Sequence, residues 1–223
     1  MGTLMRVWAV AFVAGLVGCN GGQVGDTAAS PPAASGLPAP VEQAEALAED
    51  VQTDLAQNAW PAAEAKVREL RSLREKLDSA GVAQAKQSAY VGAVDSLARA
   101  IARRSQNEGL TAGNHVSRIV SGIMAGYPTK VPAQVVYMDV AGRDVLYAAQ
   151  QGRWGDAAAP VAELGRDYAA VQAYVRAHNF ALDQVVTSEI AQLRRAVVSR
   201  RPDRATSLAS ALLEDVDRIE LIY

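Results

Sequence analysis

Apolar residues recur at helical spacing along nearly the whole chain from Val41 onward. Val161, Leu164, Tyr168, Val171 and Val175 follow one another at offsets of 3, 4, 3 and 4, which lines one face of a helix with 3.6 residues per turn. Tyr90, Val94, Leu97 and Ile101 repeat the pattern, as do Val116, Ile119, Val120, Ile123 and Met124. No run of β-branched residues alternates with polar ones for long enough to make a strand. The periodicity predicts helices over 41–58, 61–79, 82–105, 110–125, 133–151, 156–178, 180–199 and 203–220. Pro61 and Pro202 stand near helix starts, where a missing N–H costs nothing. Gly81, Gly109 and Gly152 are expected in turns. The expected fold class is therefore all-α, an array or bundle of about eight helices in four hairpins that bury a continuous core.

The pattern also repeats on a longer scale. Gln57-Asn58-Ala59-Trp60 and Gln151-Gly152-Arg153-Trp154 lie 94 residues apart. At that offset Val51 pairs with Val145, Ala63 with Ala157, Ala65 with Ala159, Val67 with Val161, Glu69 with Glu163 and Leu70 with Leu164. Alanine matches are cheap in an alanine-rich chain, but two tryptophans in register are not. The spacing predicts an internal duplication, with halves at 41–132 and 133–223. Trp60 and Trp154 each fall where a hairpin turns. They are read as structural anchors that cover the end of a helix pair, with ligand stacking the lesser alternative.

The first forty residues are of a different kind. Arg6 is followed by an apolar run from Val7 to Val17, and the run closes on Leu16-Val17-Gly18-Cys19. A transmembrane helix needs about 20 apolar residues, more than this run supplies before Asn20-Gly21-Gly22. A plain secretory signal would end in small residues and has no use for a cysteine. Cys19 is the only cysteine, so it has no disulfide partner within the chain. Together these features resemble the signal peptide and lipobox of bacterial lipoproteins. The resemblance implies removal of residues 1–18 and lipidation of Cys19, with acyl chains such as palmitate. It also implies an extracytoplasmic protein held on the bacterial membrane through that lipid. Asn20 stands where enterobacterial lipoproteins retained at the inner membrane carry aspartate, so the periplasmic face of the outer membrane is favoured if the cell is Gram-negative. Residues 19–40, rich in small residues and proline, are expected to form a disordered tether with an r.m.s. span of roughly 25 Å.

Charge and chemistry narrow the function of residues 41–223. The formal charge of the whole chain is −2, with both signs interspersed, so no basic excess marks a phosphate-binding or nucleic-acid surface. Glu42, Glu45 and Glu49 sit at helical spacing and are expected on a solvated face. His115 and His178 fall on different helices, without metal-ligand spacing, and are expected at the surface or as caps. No nucleophile elbow, phosphate-binding loop or paired-histidine zinc motif is present, so no metal, cofactor or catalytic residue is assigned.

One stretch, 114–143, joins the halves through Gly126-Tyr127-Pro128-Thr129-Lys130-Val131-Pro132. Two prolines within five residues stiffen that crossover. Asp139 and Arg143 are four apart and can pair along a helix. Asn114, Tyr127, Tyr137, Asp139 and Arg143 are accordingly the candidate residues of a binding site or inter-half network. Gly142 would allow close approach of a helix or a ligand. Residues 110–175 loosely resemble uncharacterised helical bacterial lipoproteins, a likeness that implies no known activity. The leading expectation is a lipid-anchored, non-catalytic interaction or scaffolding module with an envelope protein as partner. The alternative is a binding protein for a small ligand or metal, using the groove between the halves.

Overall fold

The computed structural model describes residues 36–223. The chain over these residues is all-helical, without strands: α1 (Ala39–Ala56), α2 (Trp60–Ser79), α3 (Gln84–Ala102), α4 (Gln106–Met124), α5 (Ala133–Gln150), α6 (Trp154–His178), α7 (Phe180–Val198) and α8 (Pro202–Glu220). Helix α1 begins two residues earlier than the apolar periodicity indicates, because Pro38 supplies the entry and Pro40 is tolerated in the first turn. Cys19 and the rest of the leader lie outside the described residues, as does most of the proposed tether.

The core is not continuous. Helix α1 packs on α2 and α4, and α3 packs on the same two, which closes a four-helix ring. Helices α5 to α8 close a second ring in the same order, and α4 against α5 joins the two. Each ring has its own interior. Leu55, Leu70, Leu97 and Ile101 help fill the first, and Met138, Leu164, Leu193 and Leu212 help fill the second. A ring of four amphipathic helices already covers every apolar stripe it contains, so two rings leave no shared interior to bury. Tyr147 of α5 packs into the first core, and its neighbour Leu146 packs against both.

Turn chemistry sets this closed order. Asn58, Gly81, Arg104, Gly152 and Arg200 all adopt positive φ just past a helix end. In each case the next N–H reaches back across the turn, as in Ala59 N to Asp54 O at 2.8 Å and Arg153 N to Ala148 O at 2.8 Å. That is the Schellman arrangement, which satisfies orphan carbonyls and reverses the chain sharply. Gly81 and Gly152 lie in turns as expected, but Gly109 lies within the first turn of α4. A Cβ at Gly109 would sit 3.1 Å from Leu55 Cδ1, and one at Gly113 would sit 2.9 Å from Gln52 Cγ. Small residues on α4 therefore let α1 approach, and the sequence reading of Gly109 as a breaker is corrected. Trp60 and Trp154 open α2 and α6, each packed on the edge of its own core.

Candidate functional site: the seam between the bundles

A polar residue on an apolar stripe is where the seam starts. Gln52 lies on α1 between Ala48 and Leu55 and is 5% exposed. Its Nε2 donates to Ser117 Oγ of α4 at 3.0 Å and to Ala48 O at 3.2 Å, while its Oε1 accepts from Tyr147 OH of α5 at 3.2 Å. Burial pushes the Tyr147 hydroxyl up to about 12, so it remains a donor throughout the physiological range. The second half thus places the Tyr147 hydroxyl in the interior of the first, where Gln52 receives it.

Asn114, fully buried, extends the link. Its Nδ2 donates to Val140 O at 2.9 Å and to Asp144 Oδ1 at 2.6 Å, both on α5. The other oxygen of Asp144 accepts from Arg118 Nη2 at 2.6 Å, and Arg118 Nη1 reaches Glu163 of α6 at 2.7 Å. Arg118 therefore ties the first bundle to two helices of the second. Gln151 and Arg153 continue the seam through Asn107 O at 3.4 Å and Thr111 Oγ1 at 3.1 Å.

Arg143 is the cation of a third group. Its Nη2 lies 2.7 Å from Asp139 Oδ2 on the same helix and 3.1 Å from Glu49 Oε1 on α1. Burial by itself would favour the neutral guanidine, but Asp139 and Glu49 outweigh it and hold Arg143 charged beyond its ordinary range. Glu45 stands beside this pair. Burial, with Glu49, Glu220 and Asp139 adding to it and Arg143 opposing, pushes its carboxyl up to about 8. The expectation of a solvated Glu42-Glu45-Glu49 face is corrected for Glu45 and Glu49, which are half-buried against α5. The apolar period of α1 shows only its own core face, and the second bundle covers part of the remainder.

The other sequence candidates separate. Tyr127 packs on the first core at the crossover. Tyr137 lies near Asp167, Arg118 and Glu163, and burial together with the two carboxylates raises its hydroxyl. Gly142 admits α8, not a ligand, because a Cβ there would lie 2.8 Å from Leu213 Cδ2. His115 is exposed, and His178 is exposed and stacked on Tyr174 at 4.0 Å. Among the described residues, no three His, Cys, Asp or Glu side chains are grouped to hold a metal. An open recess of about 530 Å³ between Pro40 and the Glu75–Ala80 end of α2 touches none of the seam groups.

Sequence reasoning missed Gln52, Ser117, Arg118, Asp144 and Tyr147. Gln52 and Arg118 did carry a signal, since each interrupts or flanks an apolar face. The same reasoning missed a buried acid inside the second bundle. Asp183 on α7 accepts from Tyr168 OH at 2.9 Å, Gln172 Nε2 at 2.8 Å and Arg176 Nε at 2.7 Å. Burial would raise its carboxyl, but hydrogen bonds from Gln172, Arg176 and Tyr168 outweigh that and hold it below the ordinary range.

The seam can fix two bundles in one relation through charge-assisted and neutral hydrogen bonds. No family model, no curated protein and no solved structure matches the chain.

Proposed function

We propose that the chain is a lipid-anchored cell-envelope protein whose helical domain is a non-catalytic interaction or scaffolding module. The observation that carries the anchor is Leu16-Val17-Gly18-Cys19 at the end of an apolar run. The interaction reading is supported by the seam. Gln52, Asn114, Arg118 and Arg143 spend their polar groups on holding the bundles together, which gives a partner a stable paired surface. We also read the two rings as copies of one ancestral unit. Support comes from the Trp60 and Trp154 register and from the matching helix order.

Metabolic labelling with a fatty-acid probe tests the anchor. Wild type takes up label and Cys19→Ser does not, and equal label on both overturns the lipoprotein assignment. Pull-down of the full chain from membrane extracts, beside seam variants that keep the fold, tests the partner.

A second reading, a small-ligand or metal site in the groove between the halves, draws on Asn114 Oδ1, a buried acceptor without a donor among the described residues. A gain in melting temperature with a compound or ion, abolished by Asn114→Ala, would favour that reading over the scaffold.

A further inference from the structure

The α7–α8 turn concentrates cations that the whole-chain charge conceals. Arg194, Arg195, Arg200, Arg201 and Arg204 fall within eleven residues, with Asp203 the only carboxylate among them. Ion pairs are common elsewhere, as at Arg71, Arg103, Arg118, Arg143, Arg153, Arg176 and Arg218. None of the five arginines at this turn forms one among the described residues. Arg195, Arg201 and Arg204 line an open notch of about 210 Å³ together with Gln192, Ala196 and Ser199. Arg204 donates one Nη2 hydrogen bond to Gln192 Oε1, which leaves most of its donors unassigned. Arg194 turns towards α6 at Gly165 instead.

Helix electrostatics accounts for only part of this cluster. Arg195 lies in the last turn of α7, where a cation is favourable. Arg201 is the N-cap of α8 and Arg204 lies three residues into the helix, at its positive end, where cations oppose the dipole. The corresponding turn of the first bundle has the same backbone, with Arg104 and Arg200 both at φ 50°. There, Ser105 and Glu108 occupy the cap and third positions, the residue types a capping box uses. The second bundle carries arginine at both positions, with Asp203 the one acid of that turn, in a notch that also holds the Ser199 hydroxyl and the Gln192 amide. An anion removes the conflict, and guanidinium forks match the oxygens of a phosphoryl group.

We propose that the notch formed by Arg195, Ser199, Arg201 and Arg204 binds a phosphoryl group, as a soluble phosphate ester or as a phospholipid headgroup. Arg201 and Arg204 supply the paired donors, and Arg195 and Ser199 close the side. The expectation that this chain lacks a phosphate-binding surface rests on a charge averaged over its length, and the site holds whether or not Cys19 is acylated.

Amide hydrogen exchange on the full chain in a neutral, phosphate-free detergent tests the proposal. In one arm sodium pyrophosphate is added. In the other the micelles are doped with phosphatidylglycerol. Sodium acetate at equal ionic strength is the control. The amides of residues 199–206 are expected to exchange about tenfold more slowly once ligand reaches about ten times its Kd. Protection by pyrophosphate assigns a soluble phosphate ester, and protection only in doped micelles assigns a headgroup. Arg201→Gln with Arg204→Gln, both at exposed positions, should lose the protection while the melting temperature holds. Equal protection by acetate, protection that survives the double variant, or none in either arm overturns the site.

Discussion

The first bundle's buried amides and serines, Gln52, Asn114, Ser117 and Ser121, lie on α1 and α4, the helices that meet the second, whereas the second also buries an acid in its own α6–α7 corner. In the first, Tyr90 OH donates to Leu70 O at 2.8 Å, a neutral bond between α3 and α2. In the second, Tyr168 donates to the Asp183 carboxylate, which Gln172 and Arg176 also hold. The two rings thus solve one packing problem with different polar chemistry. A neutral tyrosine–carbonyl bond is indifferent to pH, and a carboxylate held by three donors is not. Orphaning the acid's partners also costs more than losing one neutral bond, because charge-assisted bonds are the stronger class.

The largest effect is expected where a buried charge loses its counter-ion. Arg143→Ala should cost about 3 kcal/mol in urea melts, because Glu49, Asp139 and Glu45 lose the cation between them. A melt unchanged by Arg143→Ala would reverse the view that the seam is structural.

Asp183→Ala comes next, at about 2–3 kcal/mol, since it leaves Tyr168 and Gln172 without their acceptor in a buried corner. Its first-bundle counterpart, Tyr90→Phe, should cost only about 1 kcal/mol. Comparable losses in the two variants would erase the contrast between the bundles.

Acid and base should act on different groups. Asp183 is held below its ordinary value of 3.8, so its contribution is present above that pH and is lost as pH falls through the depressed value. Glu45 and Glu189 work in the opposite sense. Burial raises Glu189 to about 7, with Asp215 and Glu214 adding to it and Arg218 opposing, and Glu45 stands at about 8. Both start from an ordinary value of 4.5, so their contribution is full below it and is lost as pH rises to about 7 and about 8. Melting temperature should therefore decline from pH 5 to pH 8.5, and Glu45→Gln with Glu189→Gln should flatten that slope. A slope that survives both changes would place the titration elsewhere.

The smallest effect sharpens the comparison of the two turns. Arg201→Ser with Arg204→Glu gives α8 the residues that α4 carries at Ser105 and Glu108. We expect a gain of about 1 kcal/mol in stability from the cap and the dipole, together with loss of phosphoryl protection. A loss of stability would show that the arginines serve the fold.

Much of the helical layout was legible from period alone, because each helix carries an apolar stripe at 3.6-residue spacing. Start positions were less so. Helix α4 starts at Gln106, ahead of the apolar residues, and Gly109 within it looks like a turn residue until Leu55 of α1 is set against it. Of the candidate site residues, Asp139 and Arg143 pair as their spacing suggests. Asn114 joins the seam through partners 26 and 30 residues away, which no local pattern encodes. Tyr127 and Tyr137 were close to the candidates in sequence but stand apart from Asn114 and Arg143 in hydrogen bonding.

Local chemistry along the chain determined which segments are helical, where prolines could open them, and that Cys19 ends an apolar run, since each depends on residues a few positions apart. Tertiary structure decided that eight helices close as two rings with two interiors, because closure depends on which stripes meet across the fold. It also decided that Glu45 is half-buried, that Gly142 faces Leu213, and that arginines from the end of α7 and the start of α8 share one notch. A charge summed over the chain is blind to such an arrangement, because electrostatic interaction depends on distance in space.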